Sequence, residues 1–177
     1  MYEITVAVCV YKQKEWLHRC LRSLNSQTLE KSRYEVVVVN DDPNVLRGKN
    51  KVPNIESLKD VDIVSINCGL NDTSRNLITY DTFKDFKKGL VVVNTSRGEV
   101  VDERYISLLI KSREIFYSAD VIVDEQNIST PHHSELYKLY ESEKYDNLTL
   151  TPHVAGVTTD SQEIAFRSIL DLCMKSL

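Results

Sequence analysis

The sequence predicts a doubly wound α/β domain, in which a mainly parallel sheet of about six strands lies between two layers of helices. Two observations lead to this prediction. Short apolar runs rich in valine and isoleucine alternate along the chain with segments whose apolar residues recur at helical spacing. The runs are nearly continuous, which is typical of parallel strands covered on both faces. At 177 residues the chain has the length of a single three-layer domain.

The first elements form a strand–helix–strand unit. Ile4 to Val10 is an apolar run that predicts a buried strand, and Tyr34 to Val39 predicts its neighbour. The segment between them carries apolar residues on one helical face, namely Trp16, Leu17, Cys20, Leu21 and Leu24. Residues 43–53 contain two prolines and a glycine, so we predict a loop there.

The alternation continues from residue 61 to the end of the chain. Helices are predicted at Thr79 to Phe86, at Asp102 to Lys111 and at Thr159 to Leu177. In the second of these, Tyr105, Leu108 and Leu109 are expected to face inward. The remaining predicted strands are Val61 to Ile66, Leu90 to Asn94, Tyr117 to Val123 and Leu148 to Leu150.

Composition argues against several classes of partner. The net charge is −4 with acidic and basic residues interspersed, so we expect neither nucleic acid nor a membrane surface as partner. The apolar run at Ile4 to Val10 is too short to span a bilayer and lacks the flanks of a signal peptide. The four cysteines have no paired spacing, which predicts reduced thiols in a cytoplasmic protein and no metal site.

Polar segments directly follow four of the predicted strands. They are Asn67 to Leu70, Thr95 to Gly98, Asp120 to Glu125, and Thr151 to His153. In open parallel sheets, ligands bind beyond the carboxyl ends of the strands. The sequence therefore predicts that these four segments line one ligand site.

The segment Val91 to Asp102 reads VVVNTSRGEVVD, and residues 151–158 read TPHVAGVT. With the strand at Val61 to Ile66 and the sequence TSRNLI after it, these motifs follow one another in a fixed order within residues 54–172. They resemble the C-terminal half of the NAD-binding domain of D-isomer-specific 2-hydroxyacid dehydrogenases. The resemblance implies a Rossmann-like fold, an NAD cofactor and an oxidoreductase acting on the CH–OH group of 2-hydroxy acids.

The resemblance also implies roles for individual residues. His153 would exchange the proton of the substrate hydroxyl, Glu125 would orient the imidazole, and Arg97 would hold the substrate carboxylate. Asp120 would bind the nicotinamide amide, and Asp42 follows the second strand, where a ribose contact is expected. The complete set of expected cofactor-binding residues is Asp42, Cys68, Thr95, Ser96, Asp120 and Gly156.

Two departures from that family bear on activity. The phosphate-binding position, Val10 to Trp16, contains no glycine, although a dinucleotide-binding turn uses several. No part of the 177 residues corresponds to a separate substrate domain, which would close over the cofactor. We therefore expect the chain to be inactive alone, and a partner chain or a homodimer is the expected source of the missing contacts.

The N-terminal residues have a resemblance of their own. Residues 4–11, ITVAVCVY, and 34–42, YEVVVVNDD, resemble the opening βαβ unit of family 2 glycosyltransferases of the GT-A fold. The chain is thus predicted to be one chimeric domain, built from residues 1–42 and 54–177. Asp60-Val61-Asp62 matches the D-x-D metal-binding motif but precedes a strand instead of following one, so we predict a turn there. The alternatives are a non-catalytic domain without cofactor and a nucleotide-sugar-binding protein.

Overall fold

The sheet contains seven parallel strands in the part of the chain that the structure describes. The structure is a computed structural model, which describes residues 3–10, 21–40, 51–52, 60–72, 74–83, 85–125, 133–160, 162–163 and 166–167. The predicted doubly wound α/β fold is confirmed. The strands are β1 Ile4–Val10, β2 Tyr34–Asn40, β3 Lys51–Val52, β4 Ile63–Ile66, β5 Leu90–Asn94, β6 Ile115–Ala119 and β7 Leu148–Leu150.

The strand order is β3-β2-β1-β4-β5-β6-β7, so the chain runs outward in both directions from the pair β1 and β4. This reversal creates a crevice at the carboxyl ends of β1 and β4, which is where doubly wound sheets bind nucleotides. Val8 of β1 pairs with Val38 on one side and with Ser65 on the other. The prediction of a loop over residues 43–53 is wrong at its end, because Lys51–Val52 pairs with β2 as a seventh strand.

The central strands are covered on both faces. Ala7 and Val8 are adjacent in β1 and both fully buried, although successive strand residues point to opposite sides of the sheet. In β5, Leu90, Val92 and Asn94 are buried and alternate with partly exposed valines. The alternation marks the face that packs most tightly against helices, and the main apolar core lies there.

Three α-helices have described bounds, α1 Tyr80–Phe83, α2 Glu103–Lys111 and α3 Glu135–Glu141, and a 3₁₀ helix spans Gly98–Val100. Asp102 caps α2, because its Oδ1 accepts hydrogen bonds from the N–H groups of Arg104 and Tyr105. The predicted inward face of α2 is wrong at Leu108, which is 61% exposed. Ile106 and Ile110, four residues apart on the opposite side, are fully buried against the sheet.

Other differences from the prediction are local. The sixth strand is Ile115–Ala119 and not Tyr117 to Val123. Val121 is apolar because it is buried in the loop after the strand, so its apolar character does not mark a strand residue. Helix α1 is shorter than predicted, and α3 was not predicted at all. Residues 159–160, 162–163 and 166–167 are helical, as expected for the last helix. Within the described ranges, no helix combines the length and apolarity needed to cross a membrane.

Candidate active site

The strand register places the four predicted polar segments side by side. Laterally paired residues form a continuous row across the sheet, consisting of Cys9, Ile66, Asn94, Ala119 and Leu150. Each polar segment begins one residue beyond this row. Neighbouring strands lie about 4.8 Å apart, so the segments after β5 and β7 are separated by roughly 10 Å at their origins. Arg97, Glu125 and His153 therefore belong to one edge of the sheet.

Glu125 and His153 are in direct contact. Nδ1 of His153 lies 2.8 Å from Oε1 of Glu125. Because a carboxylate oxygen only accepts, the proton of this contact sits on Nδ1, and Nε2 is the nitrogen left for exchange with a ligand. The His153 side chain is 46% exposed and the Glu125 side chain 24%. A half-exposed histidine held by a more buried carboxylate is an arrangement suited to general acid–base chemistry.

Asp120 holds the histidine loop against the end of β6. Its Oδ1 accepts hydrogen bonds from the Thr151 hydroxyl at 2.5 Å and from the Val154 N–H at 2.9 Å. Its Oδ2 accepts one from the Ala155 N–H at 2.8 Å. Asp120 is only 4% exposed, and burial raises its pKa. The hydrogen bonds and the nearby His153 outweigh burial, so the pKa lies below its ordinary value and the group is held as a carboxylate.

The conformation of His153 depends on this anchoring. Its φ is +54°, in the left-handed region that non-glycine residues seldom adopt. Its own N–H donates to the carbonyl of Thr151 at 2.9 Å. Asp120 thus bonds to residues on both sides of His153 and stabilises a strained turn that presents the imidazole. The sequence predicts only a cofactor contact for Asp120, and its bonds to the histidine loop become evident only in the structure.

Arg97 leaves the sheet in a turn built by Asn94. The fully buried Asn94 accepts from the N–H and hydroxyl of Ser96 at 3.0 Å and 2.9 Å, and its amide donates to the Arg97 carbonyl at 3.0 Å. The Arg97 guanidinium is exposed, and its Nη1 donates to the Ser96 carbonyl. No acidic side chain among the described residues forms an ion pair with it. Its fork of donors therefore remains available to an anionic ligand.

The surroundings of residue 98 leave no space for a side chain, so a glycine must follow Arg97. A Cβ atom at this position would lie 2.1 Å from the carbonyl carbon of Ile122 and 2.3 Å from the Val123 nitrogen. The loop after β6 therefore packs directly against the turn after β5. This contact places the segment carrying Glu125 beside the segment carrying Arg97. The Arg-Gly pair alone could not reveal it.

The other expected cofactor residues differ in their surroundings. Thr95 and Gly156 are exposed, and nothing lies within 4 Å of a Cβ added to Gly156. The Cys68 side chain is buried in the main core, which leaves only its backbone for a cofactor contact. Ser96 is buried and its hydroxyl donates to Asn94. Asp42 lies outside the described residues.

A cavity of about 590 Å³ adjoins the Glu125–His153 pair. Tyr137 and Tyr140 from α3 line one side of it, and Ile122 and Pro152 line another. These tyrosines were not identified from the sequence because α3 was not predicted. Ser134, whose hydroxyl accepts from the Tyr137 N–H at 3.1 Å, and the buried pair Leu136 and Leu139 are the capping and spacing signals that indicate this helix.

Residues 22–155 match the family model described as D-isomer specific 2-hydroxyacid dehydrogenase, NAD binding domain. A glyoxylate reductase 1 of Saccharomyces cerevisiae is 41% identical over 75 residues, which are 42% of this chain and 21% of that protein. An (S)-sulfolactate dehydrogenase of Chromohalobacter salexigens is 30% identical over 106 residues, 60% of this chain and 32% of that protein. The chain thus spans about a third or less of these relatives.

Solved structures have the same fold over nearly the whole chain. The NAD-complexed form of a D-isomer specific 2-hydroxyacid dehydrogenase from Lactobacillus delbrueckii superposes with a TM-score of 0.72 at 23% identity. The superposition covers 99% of this chain and 53% of that one, so it includes the N-terminal strands β1 and β2. The predicted glycosyltransferase origin of residues 4–42 gains no support from these comparisons. The chain belongs to the NAD-binding domain family of D-isomer specific 2-hydroxyacid dehydrogenases.

Proposed function

We propose that this domain binds NAD and, together with a substrate domain, interconverts a small 2-hydroxy acid and its 2-oxo acid. The observation that carries the proposal is the contact between Nδ1 of His153 and Oε1 of Glu125, 2.8 Å long, on the sheet edge that also bears Arg97. Family membership supports the cofactor and the reaction class. Proton exchange, imidazole orientation and carboxylate binding are the three tasks that this chemistry requires of side chains.

The residue roles follow from their contacts. His153 exchanges the proton of the substrate hydroxyl through Nε2, because Nδ1 is engaged by Glu125. Glu125 keeps the imidazole in one tautomer and stabilises the imidazolium when the proton arrives. Arg97 binds the planar carboxylate with two parallel N–H donors. Bound NAD supplies the hydride acceptor for oxidation of the alcohol.

The sheet topology fits a dinucleotide. The crevice at β1 and β4 has the strand reversal of nucleotide-binding sheets, and the exposed Thr95 lies beside it at the end of β5. The backbone of Cys68 and the open position of Gly156 are further contacts that we assign to the nicotinamide end. Val10 to Trp16 lacks glycine, so we expect weaker pyrophosphate binding than a glycine-rich turn provides.

We infer that further parts of the site come from outside these 177 residues. The chain spans about half of the solved structure that it matches over 99% of its own length. We infer that a substrate domain in the same polypeptide, or a second chain, completes the site and excludes water. A homodimer is one such arrangement. The 177 residues by themselves are expected to turn over slowly or not at all.

The first experiment is a titration with NADH. Binding is measured by calorimetry or by energy transfer from Trp16, which is the only tryptophan. Binding in the micromolar range supports the proposal, whereas no binding at millimolar NADH contradicts it. UDP serves as the comparison ligand, because UDP binding without NADH binding would favour a nucleotide-sugar function. Steady-state assays with several 2-oxo acids then compare the wild type with Arg97→Ala, and with Arg104→Ala as a matched loss of an exposed arginine on α2.

A second candidate is a domain that keeps this fold without catalysis. One observation favours it. Both carboxylate oxygens of Asp120 accept hydrogen bonds from the histidine loop, and the Ser96 hydroxyl donates its hydrogen bond to Asn94 within the same turn. These contacts make the loops self-supporting without a ligand. A folded protein with no NADH affinity would support this candidate. Turnover of the 177 residues alone does not separate the two candidates, because it is expected to be slow under both.

A further inference from the structure

Glu103 is a buried carboxylate with no role in the site described so far. It lies in the first turn of α2 and is 7% exposed. Its Oε1 accepts a hydrogen bond from the Val123 N–H at 2.7 Å, and its Oε2 accepts one from the Glu135 N–H at 3.0 Å. Burial raises the pKa of Glu103, and the hydrogen bonds of the surrounding N–H and hydroxyl groups only partly offset this.

A carboxylate in the first turn favours the helix dipole of α2 even when it is exposed, so the stability of α2 does not account for its burial. Asp102 already caps the helix, so Glu103 is not needed for its free N–H groups. A buried anion without a cation is costly, and an apolar residue of similar size would pack into the same space at lower cost. None of the ion pairs among the described side chains includes Glu103. Its chemistry is explained by the backbone groups that it gathers.

Those backbone groups belong to the two segments that build the wall of the site. Val123 is two residues before Glu125, in the loop that also packs against Gly98. Glu135 is the first residue of α3, the helix that contributes Tyr137 to the cavity beside His153. A single carboxylate therefore connects α2 to both segments. One of its two bonds ends on Val123, two residues before the carboxylate partner of the histidine, and Asp120 independently holds the histidine loop.

We propose that Glu103 is a positioning residue for the Glu125–His153 pair. It fixes the backbone of the loop after β6 so that the Glu125 carboxylate reaches Nδ1 of His153. The pair is then held from both sides, by Glu103 behind Glu125 and by Asp120 behind His153. The inference rests on the proposed function, because that function uses the Glu125–His153 pair. It is tested without substrate or cofactor, so that its failure is distinct from a failure of catalysis.

The test is the imidazole tautomer of His153, measured by nitrogen-15 NMR at a pH where the ring is neutral. The His153 signals among the four histidines are identified by their loss in His153→Gln. Wild type should show mainly the Nδ1–H form. Glu125→Gln replaces the charged acceptor by a neutral amide, which accepts the Nδ1–H bond more weakly and can also turn its NH₂ group toward the ring. Glu103→Gln keeps the shape of the side chain but replaces one accepting oxygen by a donor. Ile110→Val is the control, since it loosens the same helix at a fully buried position without touching either loop.

Support requires that Glu103→Gln and Glu125→Gln both lower the ratio of Nδ1–H to Nε2–H, by roughly tenfold for a lost bond to a charged group, while Ile110→Val does not. An unchanged ratio in Glu103→Gln would overturn the inference. An equal change in Ile110→Val would overturn it too, because general loosening would then suffice. An unchanged ratio in Glu125→Gln would remove the pair on which it depends. If Glu103→Gln does not fold, Glu103→Asp is used, because it keeps the charge but reaches only one of the two amides.

Discussion

Oε1 of Glu125 lies 2.8 Å from Nδ1 of His153 and places a hydrogen-bond acceptor against that nitrogen. The two residues come from loops after different strands, β6 and β7, and meet because those strands are neighbours. A carboxylate in this position both orients the ring and stabilises its charged form. The pair is the part of the site whose removal should affect the chemical step most.

We expect Glu125→Gln to lower kcat by about 10²–10³-fold with a smaller change in KM, because general acid–base groups contribute about 10²–10⁴-fold. The amide can still contact the ring but cannot stabilise an imidazolium. Steady-state kinetics with NADH and a 2-oxo acid would measure the change in kcat, using the protein together with the substrate domain that completes the site. The exposed Glu114→Gln, in the turn after α2, is the matched control. A kcat within about twofold of the control would contradict the assigned role.

Asp120→Asn should loosen the histidine loop and flatten the acid side of the stability profile. The folded-state pKa of Asp120 is lowered, so its contribution is present above the unfolded value of 3.8 and is lost as the pH falls through the folded-state pKa. We expect a cost of about 1–3 kcal/mol near neutral pH that shrinks towards about pH 3. Urea unfolding over this range measures it. An equal cost at every pH would contradict the prediction.

Gly98→Ala and Gly156→Ala form a matched pair. The Cβ at residue 98 would meet backbone atoms of Ile122 and Val123 within 2.4 Å, so the two loops must separate. We expect a loss of roughly 3 kcal/mol in the free energy of unfolding. The same change at Gly156 meets nothing within 4 Å and should stay within about 0.5 kcal/mol. Chemical denaturation compares them, and similar costs at both sites would refute the loop contact.

Glu103→Gln should have a pH dependence of the opposite sign to Asp120→Asn. The folded-state pKa of Glu103 is raised above its ordinary value of 4.5, chiefly by burial. Its contribution to stability is therefore complete below the unfolded pKa and is lost as the pH rises through the folded-state pKa. The wild type should exceed the variant in stability most at about pH 4 and less at neutral pH. A difference that grows with pH would contradict the raised pKa.

The two faces of α2 should respond differently to truncation. Ile106→Ala removes a fully buried side chain from the core and should cost about 2–5 kcal/mol. Leu108→Ala changes a residue that is 61% exposed and should stay within about 0.5 kcal/mol. Thermal or chemical unfolding of the two variants decides between the structural face and the one expected from the sequence. Comparable costs would restore the sequence-based assignment.

The sequence by itself determined the parallel α/β fold and the placement of the four polar segments at one edge of the sheet. Apolar runs and helical spacing are local signals, so β1, β5 and β7 could be assigned almost to the residue. Polar segments after strands must gather at one edge of a parallel sheet, and the register confirms a single row. Local signals were weaker where a segment is short, as at β3 and α3.

Only the tertiary structure decided which residues support the site. Three contacts join residues more than 15 positions apart in the sequence. They are Gly98 against Ile122, Asp120 with the histidine loop, and Glu103 with Val123. Neither partner in such a contact carries a pattern that names the other, because spacing reports only neighbours on the same element. The buried face of α2 was decided in the same way, by the sheet it packs on. The physical reason is that burial and hydrogen bonding depend on where other segments lie, which a local pattern does not encode.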